Sequence, residues 1–299
     1  MSDGKDLQRR LRELLDEESG STWLDQRTVY DFFYDGALDF VDRTGCLRAV
    51  QSITTVANTN TYNLNPDFLR LYLRNSGGDY FLKYSDTSNT TFLTWTDYDD
   101  IYGQSAPQTA LPTSFCIIDA SLTSQATGTA TAAGASVGGQ SQLTDTSGDF
   151  ANVAEGDHVH NTTDGSTGIV LSKTSSTVLQ TALFGGASND WSNADAYVIQ
   201  PGARYQIVLD PIPSVSAHTI SVPYVQRPAP VYSDYGIYRF INPSVLVKYA
   251  FWLFKYRDKE PNFGDAIYKF WEAEVTKKAG SVNAGQRPNG FTVNLKRRR

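Results

Sequence analysis

The stretch LDQRTVYDFFYDGALDFVDRTG, residues 24–45, decides how the rest of this chain is read. Val29, Phe32, Phe33, Gly36, Ala37, Phe40 and Val41 recur at steps of three and four, which places them on one stripe of an α-helix. Asp25 stands in the opening turn, where the helix dipole favours an anion, and Gly45 follows the end, where a left-handed cap is usual. Leu7, Leu11, Leu14 and Leu15 form a second, shorter stripe upstream, and the Ser-Gly-Ser break within residues 18–22 turns one helix into the other. The result is an α-helical hairpin with an aromatic seam.

Downstream the texture changes to short β-like runs at 49–56, 61–64, 68–73, 80–84 and 115–120, with Gly77-Gly78 as a hairpin turn between the third and fourth. Residues 94–102 read as one or two turns of helix lying on that sheet. The sheet resumes at 205–209 and 219–226. Asn242-Pro243 is an N-cap followed by proline at the first helical position, and it opens a helix to about 258 that is apolar almost all round. Such a helix must be buried on several sides, in the core or between subunits. A last helix is predicted from 262 or 263 to 279, ended by Gly280. These elements predict an α+β fold. Its helical bundle, the N-terminal hairpin plus two C-terminal helices, packs with a small antiparallel sheet and carries an inserted all-β module and an extended C-terminal arm.

The module is read from composition. Of the 37 aromatic residues only Phe150, Phe184, Trp191 and Tyr197 lie within 121–203, whereas 11 of the 23 glycines do. Candidate strands are 127–133, 157–161, 167–173, 177–180 and 196–200, with Asp164-Gly165 turning one hairpin. The domain expectation is therefore a core of 1–123 and 204–280, a Ser/Thr/Gly-rich β module of 124–203, and a basic arm of 281–299. Whole modules insert well at exposed hairpin loops.

The chain of 299 residues has a net charge of −6, and the charge is unevenly placed. Residues 1–120 sum to −8, 121–203 to −6, 204–240 to +1 and 241–299 to +7. Different ends therefore suit different partners. No run approaches the ~18–20 apolar residues of a membrane helix, and the charged opening lacks a signal-peptide core, so a soluble protein made in the cytoplasm and free of membrane is expected. Cys46 and Cys116 make neither a disulfide framework nor a zinc spacing.

No constellation of catalytic residues emerges. There is no GxSxG, and the glycine pairs lack the lysine of a phosphate loop. Glu17-Glu18 and Asp99-Asp100 read as solvated surface rather than a glycosidase pair. His158 and His160 on a strand share one face, but two ligands do not make a metal site. No enzyme activity, metal or cofactor is expected. The terminal Lys296-Arg297-Arg298-Arg299 suits DNA phosphates or an acidic protein groove. Protein docking is favoured because Phe291, Val293 and Leu295 alternate as in a strand added to a partner's sheet edge.

The order of elements resembles the head-tail connector adaptor proteins of tailed bacteriophages. The resemblance is carried by Leu11-Arg12-Glu13-Leu14-Leu15-Asp16-Glu17, Trp23-Leu24-Asp25, Arg43-Thr44-Gly45, and Asn60-Thr61-Tyr62-Asn63-Leu64-Asn65-Pro66-Asp67-Phe68-Leu69-Arg70. Val225-Gln226-Arg227-Pro228 and the tyrosine-rich helix after Pro243 complete it. It spans about 1–120 and 204–280 and leaves the inserted module unexplained. It implies a virion protein at the head-tail interface: a homo-oligomeric ring, usually of twelve copies, beneath the portal protein. Such a ring lengthens the channel for double-stranded DNA without sequence-specific binding and offers a platform to a downstream tail or nozzle protein. By the same resemblance Arg287, Phe291, Val293, Leu295, Lys296, Arg297, Arg298 and Arg299 form a portal-docking arm, while Tyr249, Trp252, Leu253 and Tyr256 pack between subunits. A competing expectation is a receptor- or glycan-binding tail protein acting through the module, with Trp191 and Tyr197 as its aromatic candidates. A peptidoglycan hydrolase is a third.

Overall fold

The two N-terminal helices form where the stripes predict them. The computed structural model describes residues 3–16, 24–72, 78, 80–86, 89–103, 108–120, 125–257 and 265–284. Trp23, Gly77, the predicted start of the last helix and the arm from residue 285 onward lie outside these residues. Helix α1 is Gly4–Leu15, capped by the Asp3 carboxylate, which accepts from the Asp6 N–H at 2.8 Å. Helix α2 is Gln26–Thr44, where Asp25 accepts from the Thr28 N–H at 2.8 Å and Gly45, at φ 58°, closes the end. All seven stripe residues of α2 are buried, as are Leu7 and Leu11 of α1.

Beyond α2 run β1 (Arg48–Thr54), β2 (Thr61–Asn63), β3 (Phe68–Leu71), β4 (Phe81–Ser85) and β5 (Thr90–Trp95). Then come the short helix α3 (Tyr98–Tyr102), β6 (Thr109–Ala110) and β7 (Ser114–Asp119). A second group follows: β8 (Ala126–Thr129), β9 (Ser141–Thr144), β10 (His158–Asn161), β11 (Ser166–Ser175), β12 (Val178–Phe184) and β13 (Ala196–Gln200). The chain returns through β14 (Tyr205–Asp210), β15 (Ile212–Pro213) and β16 (Thr219–Gln226) to α4 (Pro243–Arg257) and α5 (Asp265–Ala284).

This overturns the expected fold class. The protein is mostly β, with sixteen strands and only five helices among the described residues, not a helical bundle with a small sheet. The first sheet alone has eight strands, ordered β1-β16-β4-β5-β7-β14-β2 with β3 also on β16, and β5 pairs with β7 in parallel. The hairpin predicted at Gly77-Gly78 is replaced by a long-range arrangement, because β3 and β4 both pair with β16. Thr94 and Trp95, read as the start of a helix over 94–102, instead end β5, the helix being confined to Tyr98–Tyr102, and α5 runs through Gly280 to Ala284. A Cβ added at Gly280 would meet nothing within 4 Å, so an exposed glycine is carried inside the helix, at a cost of about 1 kcal/mol.

The sheet curls until its two edge strands meet through a side chain. Gln51 on β1 donates to the Asn63 carbonyl at 3.0 Å and accepts from the Asn65 N–H at 2.8 Å. Inside the curl lie Leu82, Leu93, Phe115, Ile207, Leu209, Ile220 and Val222. Gln51→Ala removes both bonds of this clasp. It is expected to cost about 1 kcal/mol, since an intramolecular hydrogen bond nets only ~0.5–1.5 kcal/mol and these groups are partly wet. Urea unfolding measures it, and an unchanged midpoint would show that the edges hold without the clasp.

The second sheet, ordered β8-β13-β10-β11-β12-β9, curls until its two edges are linked just beyond β8. The chain leaving β8 reaches β9, where the Thr131 N–H donates to the Thr144 carbonyl at 2.7 Å and Ala132 bridges Thr144. The barrel so formed is filled by Leu143, Phe150, Val159, Val170, Leu179, Leu183, Trp191, Tyr197 and Ile199. Alternation along β11 and β12 turns Ile169, Leu171, Ala182 and Phe184 outward. That outer stripe belongs to the same apolar cluster as Tyr30 and Phe33 of α2, Tyr232, Leu246 and Phe254 of α4, and Trp271 of α5.

Candidate functional site

The C-terminal helices carry the aromatic residues that the sequence marks for packing between subunits. Asn242 caps α4, its side-chain oxygen accepting from the Ser244 N–H at 2.9 Å. Val245, Leu246, Val247, Ala250, Phe251 and Phe254 are buried on α4, so the helix is enclosed on several sides within its own chain. Tyr249 lies against Trp271 of α5, with ring centroids 4.4 Å apart, and Trp252 against Tyr268 at 4.7 Å. The Trp271 indole N–H donates to Asp39 of α2 at 2.9 Å. Tyr249, Trp252 and Leu253 are thus half-buried by intramolecular contacts, while Tyr256, stacked on Trp252, is exposed. Burial and the nearby Asp39 push the Tyr249 hydroxyl up to about 12, so it stays protonated.

The barrel's aromatic residues sit inside it. Trp191 and Tyr197 are 1% and 2% exposed, and both polar tips have buried partners. The Trp191 indole N–H donates to Thr181 Oγ1 at 2.9 Å, and the Tyr197 hydroxyl donates to Asp145 Oδ2 at 2.8 Å. An aromatic platform for a sugar needs an exposed ring face. The residues that would have carried glycan binding are core residues instead.

His158 and His160 do share the outer face of β10, either side of the buried Val159. Among the described residues no group of three or more His, Cys, Asp or Glu is placed to hold a metal ion. Cys116 is buried, which pushes its thiol up to about 11, the opposite of an activated nucleophile. No helix among the described residues is long and apolar enough to cross a membrane.

Two clefts flank the body, and neither was legible as a site from the sequence. One of about 260 Å³ lies between α3 and the outer face of β7 and β14, lined by Tyr98, Ile101, Tyr102, Ile118, Val208 and Ile212. The other, of about 250 Å³, lies among α2, the start of α4 and the end of α5, lined by Phe40, Phe240, Ile241, Val245, Lys277 and Lys278. Both clefts present mostly apolar surface, the kind that suits contact with another protein.

A stretch running from α1 into the first strand of the barrel is similar to a known family. Residues 2–131 match the family model of the SU10 adaptor protein. The adaptor match takes in α1, α2, α3 and strands β1 to β8, and stops before most of the barrel and the C-terminal helices. It points to a phage structural protein of adaptor type, which contacts other head or tail proteins and resides in the virion. No curated protein matches the chain.

Proposed function

We propose that this protein is a head-tail connector adaptor: a ring, of twelve copies as in the family it resembles, seated beneath the portal. There it extends the DNA channel and offers an attachment platform to the next tail component. The observation that carries the reading is the adaptor match across residues 2–131, which covers both N-terminal helices and much of the body sheet. The protein acts by assembly, without catalysis or cofactor. Residues 1–120 sum to a charge of −8, which lets double-stranded DNA pass a channel wall without the phosphate contacts that would hold it. The arm residues Arg287, Phe291, Val293, Leu295 and Lys296 to Arg299 dock on the portal, and Tyr256 extends the C-terminal aromatic surface toward a neighbouring copy. The barrel of β8 to β13 stands as a module between β7 and β14 and contacts neighbouring tail parts.

The test mixes the full chain with the portal protein of the same virus and reads native mass and negative-stain class averages. A defined ring stacked on the portal is expected. Removing residues 290–299 is expected to abolish attachment while circular dichroism stays unchanged. Undiminished attachment of that variant would sink the arm's role, and no association between two folded proteins would sink the connector reading.

A further inference from the structure

The chain carries two surfaces that complement one another and are built on different elements of the fold. The first is a knob. Tyr98 and Tyr102 of α3 stack on each other, with centroids 5.8 Å apart and planes at 23°, yet remain 42% and 78% exposed. Three exposed acidic residues, Asp97, Asp99 and Asp100, adjoin Tyr98 in the chain. The second is the cleft of about 250 Å³ floored by Phe40, Phe240, Ile241 and Val245 and rimmed by Lys277 and Lys278. Glu274 also lines that rim, with Lys277 3.9 Å from it. The knob stands on β7, whereas the cleft lies among α2, α4 and α5.

Resting on the reading that this protein forms a ring, we infer that the Tyr98–Tyr102 knob of one copy seats in the Phe40–Val245 cleft of the next. The charges decide the occupant. An apolar knob with acidic residues beside it fits a basic rim around an apolar floor, and a tyrosine pair already stacked loses little side-chain freedom on docking. Each copy then uses two different patches, a heterologous contact, which is the geometry that closes into a ring when the rotation per copy allows it. Fully desolvated tyrosines are the usual anchors of such interfaces, while the charged rim sets partner choice.

The test is self-association of the full chain, alone and with the portal, by sedimentation velocity. Tyr102→Ala is expected to weaken it by about 30-fold or more, the effect of losing an interface anchor. Asp99→Lys/Asp100→Lys and Lys277→Glu/Lys278→Glu should each weaken it, and the four changes together should restore it, with far-ultraviolet circular dichroism confirming folding throughout. A Tyr102→Cys copy mixed with a Ser281→Cys copy should form a disulfide between chains that neither forms alone. Rings that assemble normally in every variant would overturn this contact and leave the connector reading standing. A wild-type chain that stays monomeric even with portal present would overturn both.

Discussion

Asp157→Ala lowers the stability of this protein by about 3–5 kcal/mol, the cost of stranding a buried partner charge, and lowers Tm by roughly 5–10 °C for a chain of this size. Asp157 immediately precedes β10 and its side chain is 1% exposed, while Arg204, in the connection from β13 to β14, is 10% exposed. One guanidinium nitrogen of Arg204 reaches both carboxylate oxygens, at 2.7 and 2.8 Å. The same carboxylate accepts from the Ala154 N–H at 2.9 Å and from the Gly202 N–H at 2.8 Å. Alanine therefore leaves a guanidinium enclosed without its counter-charge and two backbone donors unpaired. Much of the loss comes from that stranded charge, so Asp157→Ala/Arg204→Met should recover a large part of it. Differential scanning calorimetry of the two variants decides the matter: equal losses would show that the backbone donors, not the charge, dominate.

What the sequence made legible was local. The stripe of α2 is readable because its seven apolar positions keep a helical period and its caps are of the preferred residue types, Asp25 and Gly45. The extent of β structure was hidden because pairing is long-range: β1, β3 and β4 all find β16, more than 130 residues away. Strand β9 has the sequence Ser-Gln-Leu-Thr with one large apolar residue, yet Ser141 is buried because its hydroxyl bonds the Gly134 carbonyl and receives the Trp191 N–H. Trp191 and Tyr197 read as surface candidates for the matching reason. Thr181 and Asp145, which receive their polar tips inside the barrel, are residue types normally assigned to the surface. The candidate clefts were less legible still. The stacking of Tyr98 on Tyr102 follows from an i, i+4 spacing, but its exposure depends on how α3 rests against β7.

Replacing residues 124–200 by a short glycine linker should leave a body that still folds, but with its stability lowered by about 3–6 kcal/mol. The ends of the excision are already neighbours. Strands β7 and β14 pair antiparallel up to Asp119 and Tyr205, and the Ala120 N–H donates to the Arg204 carbonyl at 2.9 Å, so a tight connection replaces the barrel without breaking a strand pair. The loss arises on the helical layer. Phe184 lies 6.4 Å, centroid to centroid, from both Tyr30 and Tyr232, and Ile169, Leu171 and Ala182 pack into the same cluster. Uncovering these partners forfeits a few side chains' worth of burial, each worth about 1.5–3 kcal/mol when complete. Polar ties are lost as well. Gln140 donates to Ser233 Oγ at 2.7 Å, the Asp234 N–H donates to the Gly138 carbonyl at 2.9 Å, and Arg27 bonds Thr167. The excision nevertheless spares the penalty that Asp157→Ala incurs, because Arg204 is released into water rather than left enclosed. The two experiments therefore separate the cost of a stranded charge from the cost of an uncovered surface. A cooperative thermal transition at a reduced temperature is the expected outcome for the excised chain. Loss of that transition would mean that the barrel is an integral part of the body's core rather than a module docked upon it.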